Sequence, residues 1–201
     1  MIDPVRLATA SLTSLADVGW RHQARGFDPR SGEGARLSGG RFNPPGSFPV
    51  LYLCATRPCA VAELRRLAER QGIGVANLLP RDLWRYELRI DRCLDLTVGE
   101  VLEVTGIEAA ALTEPSWSRT QQLGAAAHAL GVQAIRSPSA TGVDTVVAVF
   151  IENLGSSSVN PQLAEQWTSV DAFDVGPDYM MWRRLSAVCG QRRMERTLEQ
   201  V

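Results

Sequence analysis

The stretch Val50-Leu-Tyr-Leu-Cys-Ala55, followed at once by Thr56-Arg-Pro-Cys and a run of alanines, arginines and leucines to Gln71, sets the frame for reading this chain. A short, continuous apolar run bounded by turn signals matches a strand buried on both faces. Thr56 can cap a helix, Pro58 falls in its first turn, and Gly72 ends it. Upstream, residues 18–22 read as a short strand ending at Trp20-Arg21-His22. Residues 24–49, rich in Gly, Pro and Arg, show neither a helical nor a strand period and read as a long loop, which in a compact domain is usually functional. Downstream, Trp84, Tyr86, Leu88 and Ile90 alternate with Arg85, Glu87 and Arg89, the pattern of a half-buried strand.

Residues 98–112 read as weakly helical, and Ser118 to Leu130 as a firmer helix stopped by Gly131. Residues 133–136 and 145–151 read as strands, 153–162 as a loop and 170–173 as a last strand segment. From Met180 the pattern is that of an amphipathic helix. Strands and helices mix without strict alternation, so the expectation is α+β rather than doubly wound.

The chain has 201 residues, which fits a single domain, 1–201, able to bury a substantial core. A formal net charge of −1 offers no broad footprint for nucleic acid or membrane. The N-terminus carries Asp3 and no long apolar core, so no signal peptide is expected there, and the cytoplasm is the default location. Cys54, Cys59, Cys93 and Cys189 fit neither a zinc spacing nor a disulfide framework. All 21 Lys-plus-Arg residues are arginine. That excludes P-loop NTPases, protein kinases and pyridoxal enzymes, each of which needs a lysine. With only His22 and His128, a multi-histidine metal site is not expected.

Three places carry chemistry. The loop Gly32-Glu-Gly-Ala-Arg-Leu-Ser-Gly-Gly-Arg-Phe-Asn-Pro-Pro-Gly46 sets Arg36 and Arg41 on a backbone-exposing scaffold. Their planar forks suit a pyrophosphate or carboxylate, although a solvated surface loop has the same composition. Glu63 shares a line with Cys59 and Leu67 at i, i+4 spacing, so a carboxylate falls on an apolar stripe. It could stabilise an oxocarbenium-like ribosyl cation, or pair with Arg66 or Arg70. Ser118 opens Ser-Arg-Thr-Gln121, which reads as a capping box; a helix's first turn also suits a phosphate. Trp117 could be core or stack on a planar ring.

Together these pieces resemble the RES-domain family of bacterial toxin–antitoxin toxins, most closely its mycobacterial, NAD-degrading branch. The resemblance is carried by Ser31-Gly-Glu-Gly-Ala-Arg36, Gly39-Gly-Arg-Phe-Asn-Pro-Pro45, Phe48-Pro-Val-Leu-Tyr52, Val61-Ala-Glu63, Trp117-Ser118 with Gln121 and Gly124, and the spacing of Arg21 from Arg41. It covers about residues 18–155 and leaves 156–201 as a C-terminal extension. It implies an ADP-ribosyltransferase-like fold, a split, mostly antiparallel sheet around an NAD cleft. Glu63, Arg41 and Ser118 would be catalytic. Arg21, His22, Arg36, Phe42, Asn43, Tyr52 and Trp117 would bind substrate, with Tyr52 near the nicotinamide. Ser139, in Ser137-Pro-Ser-Ala140, rivals Ser118 as the family's serine. Phe42 and His22 depart from the tryptophan and tyrosine usual at their positions.

The implied reaction is cleavage of the nicotinamide–ribose bond of NAD by phosphorolysis or hydrolysis. Phosphate is a possible co-substrate, and no metal takes part. The alternatives are mono-ADP-ribosylation of a protein or, from another class, an RNA-targeting toxin. The implied partner is a small helical, Xre-like antitoxin, with no direct contact to nucleic acid or membrane; self-association is left open.

Overall fold

The structure, a computed structural model, describes residues 2–155 and 158–174. In chain order the elements are α1 (Pro4–Leu7), β1 (Thr13–Ala24), α2 (Glu33–Ser38), β2 (Val50–Cys54), α3 (Arg57–Gln71), β3 (Arg81–Asp95), α4 (Gly99–Thr105), α5 (Ser118–Ala129), β4 (Ala134–Pro138), β5 (Thr145–Phe150), β6 (Ser158–Trp167) and α6 (Asp171–Asp174). The predicted helical pattern from Met180 lies outside the described residues.

The architecture is α+β. The six strands form one sheet in the order β1-β2-β5-β4-β3-β6, and β1 also pairs with β3, so five strands close into a barrel with β6 added outside. Instead of a split sheet there is this closed one, and one of its pairings, β3 with β4, is parallel. The long β3 makes the closure possible. It pairs with β1 from Arg81 to Cys93 along one edge; on the other it meets β6 and then β4. The β1–β2 seam is held by a single pair, Trp20 with Cys54.

Alternation decides what fills the barrel. Leu51 and Leu53 of β2, Val147 and Val149 of β5, and Tyr86, Leu88 and Ile90 of β3 share one buried cluster. The opposite face, with Val50, Ile135, Ala148 and Phe150, is covered by Leu123 and Ala127 of α5 and by Phe42. β2 is thus buried on both faces, as its unbroken apolar run predicts. α3 is capped as its sequence predicts: Thr56 Oγ1 accepts from the Cys59 N–H at 3.4 Å, and Gly72 takes φ +66° after the last turn.

Three segments differ from expectation. The 24–49 loop contains the short helix α2. The stretch 153–162, read as loop, runs into β6 from Ser158; a strand with one edge unpaired among the described residues accepts Asn160, Pro161 and Gln162, which mask its signal. Residues 170–173, read as strand, begin the helical turn α6, where Phe173 packs on Trp167 with ring centroids 5.0 Å apart.

Candidate active site

A cleft of about 400 Å³ opens where the β1–β2 seam ends. It is bounded by Trp20–His22 of β1, Cys54, Val146, one face of α3, the 39–42 segment, Trp117 and Ala140. Helical spacing explains α3's part: Glu63, Arg66, Leu67 and Arg70 stand at i, i+3, i+4 and i+7 and line the cleft together. The core stripe of α3 is the adjacent one, where Cys59, Ala60, Leu64 and Ala68 are buried. Glu63 therefore faces a cavity rather than the apolar core inferred from its line with Cys59.

One oxygen of Glu63 is fixed from across the chain. Ser139 Oγ donates to Glu63 Oε1 at 2.8 Å, although the two are 76 positions apart. Ser139 is fully buried, and its oxygen accepts from the Thr141 N–H at 3.1 Å. Its single proton is committed to Glu63, so the 2.7 Å contact with Thr141 Oγ1 makes Thr141 the donor there. Thr141 Oγ1 in turn accepts from the Val143 N–H at 3.2 Å. The chain of donors Val143, Thr141 and Ser139 thus ends on the carboxylate.

The turn carrying Arg41 is clamped from two sides. Tyr52 OH accepts from the Phe42 N–H and donates to Asn43 Oδ1, both at 2.8 Å, and Asn43 Nδ2 donates to the Ala35 carbonyl at 2.7 Å. Burial pushes the Tyr52 phenol well up, so it remains a donor. A Cβ on Gly40 would lie 2.5 Å from Tyr52 Oη, so only glycine allows this approach. From the other side, Gln121 Nε2 of α5 donates to the carbonyls of Gly40 (3.0 Å) and Asn43 (3.3 Å), and Gly124 lets the helix backbone touch Phe42.

Arg41 is buried. Its Nη1 donates to the carbonyls of Glu114 (3.0 Å) and Ala111 (3.4 Å), while Nη2 is buried with no partner. Burial, then the charge of Arg66, lowers its pKa, with Glu63 opposing. Arg21 lines the cleft and donates from Nη1 to the Ser31 carbonyl at 3.2 Å, tethering the loop. His22 Nδ1 accepts from Arg81 Nε at 3.0 Å. Burial, then the charges of Arg81 and Arg21, pushes His22 down to about 3, so it is neutral at neutral pH.

That shift has a sign. Below about pH 6.5 an unfolded imidazole takes up a proton, whereas the folded one does not until about pH 3. The stability tied to neutral His22 is present above pH 6.5 and is lost on acidification through that window, by at most about 1.4 kcal/mol per pH unit. Urea unfolding of wild type and His22→Gln at pH 7 and pH 5 checks this. The gap between the two proteins moves in favour of the variant at pH 5.

Of the predicted site residues, Arg21, His22, Arg41, Phe42, Tyr52, Glu63 and Trp117 line the cleft. Asn43 is fully buried behind it as the brace of Tyr52. Arg36 is turned to solvent and pairs with Glu33 at 2.6 Å, an i, i+3 contact within α2. Ser118 is the exposed first residue of α5, outside the cleft lining; Trp117 is the N-cap, and no side chain caps the helix. The capping box is not formed because Gln121 reaches the Gly40 turn instead. Arg66 and Arg70 went unassigned, although their spacing from Glu63 placed them on its face. Among the described residues no His, Cys, Asp or Glu group of three is placed to hold a metal, and no helix is long and apolar enough to cross a membrane.

The RES-domain family model matches residues 18–169, from β1 through β6. This chain belongs to the RES-domain family. The RES domain is 32% identical over 147 residues to the NAD(+) phosphorylase MbcT of Mycobacterium tuberculosis and of Mycobacterium bovis, across 72% of this chain and 79% of theirs. Among solved structures it resembles the M. tuberculosis MbcT–MbcA toxin–antitoxin complex, with a TM-score of 0.71 and 27% identity over 82% of this chain and 91% of that one.

Proposed function

We propose that this RES domain is a toxin that breaks the nicotinamide–ribose bond of NAD and passes the ADP-ribosyl group to inorganic phosphate or water. The observation that carries the reading is Glu63: a carboxylate held by a buried serine in a cleft that also presents Arg21 and Arg41. As the C1″–N bond breaks, its electron pair leaves with nicotinamide and positive charge gathers on the ribose. A fixed carboxylate stabilises that charge more in the transition state than in the bound substrate. Attack by a phosphate oxygen gives ADP-ribose-1″-phosphate; attack by water gives ADP-ribose. The similarity to an NAD(+) phosphorylase favours phosphate.

Arg21 and Arg41 hold the NAD pyrophosphate, and Tyr52 and Trp117 border the pocket for the nicotinamide end. The serine in this reading is Ser139, acting through Glu63, rather than Ser118. We read the closed sheet as a variant of the ADP-ribosyltransferase-like architecture, on the strength of an arginine- and glutamate-lined cleft beside β1. By analogy with the MbcT–MbcA toxin–antitoxin complex the domain works with an antitoxin; we take this partner to be a helical, Xre-like protein that covers the cleft in the cytoplasm.

Mass spectrometry of products from purified protein and NAD, with and without phosphate, tests the reading. Nicotinamide with either ADP-ribose product supports it. Intact NAD refutes it, and transfer of the label to protein favours mono-ADP-ribosylation. Lone expression slows a bacterial host and lowers its NAD, and co-expression of the antitoxin relieves both.

Arg41→Lys is expected to rescue Arg41→Ala poorly. One ammonium cannot bond the carbonyls of Glu114 and Ala111 and also present a second nitrogen to an anion. The KM for NAD in the lysine variant stays at least about tenfold above wild type, the loss of one charge-assisted contact.

A further inference from the structure

Four guanidiniums, Arg21, Arg41, Arg66 and Arg70, line the cleft against one carboxylate, Glu63, while His22 is held neutral. Arg66 and Arg70 meet no carboxylate among the described residues. They leave more positive charge than the pyrophosphate of NAD can match, especially since NAD also brings a cationic nicotinamide. Trp117 organises this charge: the Arg70 guanidinium lies 4.7 Å from its ring centroid and that of Arg41 5.9 Å. Two buried donors here have no partner, Arg41 Nη2 and Trp117 Nε1. Crowded cations and orphaned donors are costly in a protein that holds them for no anion.

We propose that Arg66 and Arg70, beside Arg41, form a second anion subsite that holds the inorganic phosphate acceptor next to Glu63. The proposal rests on the reaction assigned above and names the residues that select phosphate over water. Arg66 is one turn of α3 from Glu63, a rise of about 4.5 Å. A phosphate on Arg66 is therefore kept close to the carbon whose charge Glu63 stabilises. Attack needs a separation of roughly 3–3.5 Å, which a bound acceptor reaches far more often than a free one. A guanidinium fork also orients the dianion, leaving one oxygen free to form the C1″–O bond. Without the subsite, water takes its place.

The test compares wild type with Arg66→Gln/Arg70→Gln, at constant ionic strength, by two readouts. The first is the thermal shift produced by inorganic phosphate alone, with no NAD present. The second is the pair of KM values, for phosphate and for NAD, with the ratio of ADP-ribose-1″-phosphate to ADP-ribose. Phosphate is expected to stabilise wild type and not the variant. The KM for phosphate rises at least about tenfold and that for NAD less than about threefold, the loss of one or two charge-assisted contacts confined to one ligand. The product ratio moves toward ADP-ribose. Arg66→Lys recovers part of the phosphate KM.

A phosphate shift equal in both proteins, or a rise in the NAD KM alone, overturns the subsite. If wild type leaves NAD intact yet phosphate stabilises it and not the variant, the subsite stands and the assigned reaction fails. Should the double variant not fold, Arg70→Gln, at an exposed position, carries the same comparison.

Discussion

Glu63→Gln is expected to lower NAD turnover by about 10²- to 10³-fold, the usual loss when one preorganised electrostatic contact to a transition state is removed. Glutamine keeps the shape of the side chain and an oxygen able to accept from Ser139, so the network of Ser139 and Thr141 has no reason to break. What is lost is the negative charge that faces the ribosyl cation. The KM for NAD changes little, because that charge is worth less to the bound substrate than to the transition state. Steady-state kinetics with a thermal melt of both proteins checks the expectation. Turnover within about threefold of wild type, in a protein that melts normally, would remove Glu63 from the mechanism. Ser139→Ala is the companion variant. It keeps the charge but frees its position, so its loss is smaller and its Glu63→Gln double variant falls no further than Glu63→Gln alone.

Gly124→Ala is expected to damage the fold and the cleft together. A Cβ at Gly124 would lie 1.8 Å from the Phe42 carbonyl oxygen, a backbone atom that cannot swing aside. Either α5 or the Gly40–Asn43 turn must move. Leu123 and Ala127 of the helix and Phe42 and Asn43 of the turn are all fully buried, so neither side yields freely and the packing around Arg41 is disturbed whichever moves. Overpacking of this kind costs roughly 1–3 kcal/mol, occasionally more. In a domain of this size that lowers Tm by about 2–4 °C for each kcal/mol. Because that turn holds Arg41 against α5, turnover falls as well. Gly26→Ala is the control: Gly26 has positive φ but open space around its missing Cβ, so it brings strain without a clash. A Gly124→Ala protein with wild-type Tm and kinetics would contradict the close packing.

Much of this arrangement could be read along the chain. β2 and α3 announce themselves through an unbroken apolar run, a capping threonine, a first-turn proline and a terminal glycine, all signals local to a few residues. β6 was hidden because an edge strand keeps half its backbone and most of its side chains in water, and its polar residues resemble a loop. In the cleft, Arg21, Arg41, Tyr52 and Glu63 were legible because the resemblance fixed them at definite spacings. The contact of Ser139 with Glu63 was harder to foresee. Ser118 sits among Trp117, Gln121 and Gly124, which look like the frame of a reactive serine. Gln121 and Gly124 share a task, holding the Gly40–Asn43 turn, while Ser118 lies exposed outside the cleft lining. The link from Ser139 to Glu63 spans the barrel and leaves no local pattern. Arg66 and Arg70 were legible by spacing alone, yet arginine on a helix is so often a solvated residue that spacing did not separate them.

The thin β1–β2 seam has a consequence for how the domain breathes. Every second residue of β1 turns its N–H and C=O away from β3, and apart from the Trp20–Cys54 pair no strand among the described residues receives them. One side of β1 is thus a nearly unzipped margin inside an otherwise closed barrel. Amide deuteration should divide this strand into two populations, with protons bonded to β3 retained far longer than those pointing across the seam. The fast set includes the neighbours of Arg21 and His22, so a ligand that fills the cleft should slow their exchange before it alters the distant protons of β3 and β6. The weakest joint of the barrel would then be the place where occupancy of the cleft is first felt by the backbone.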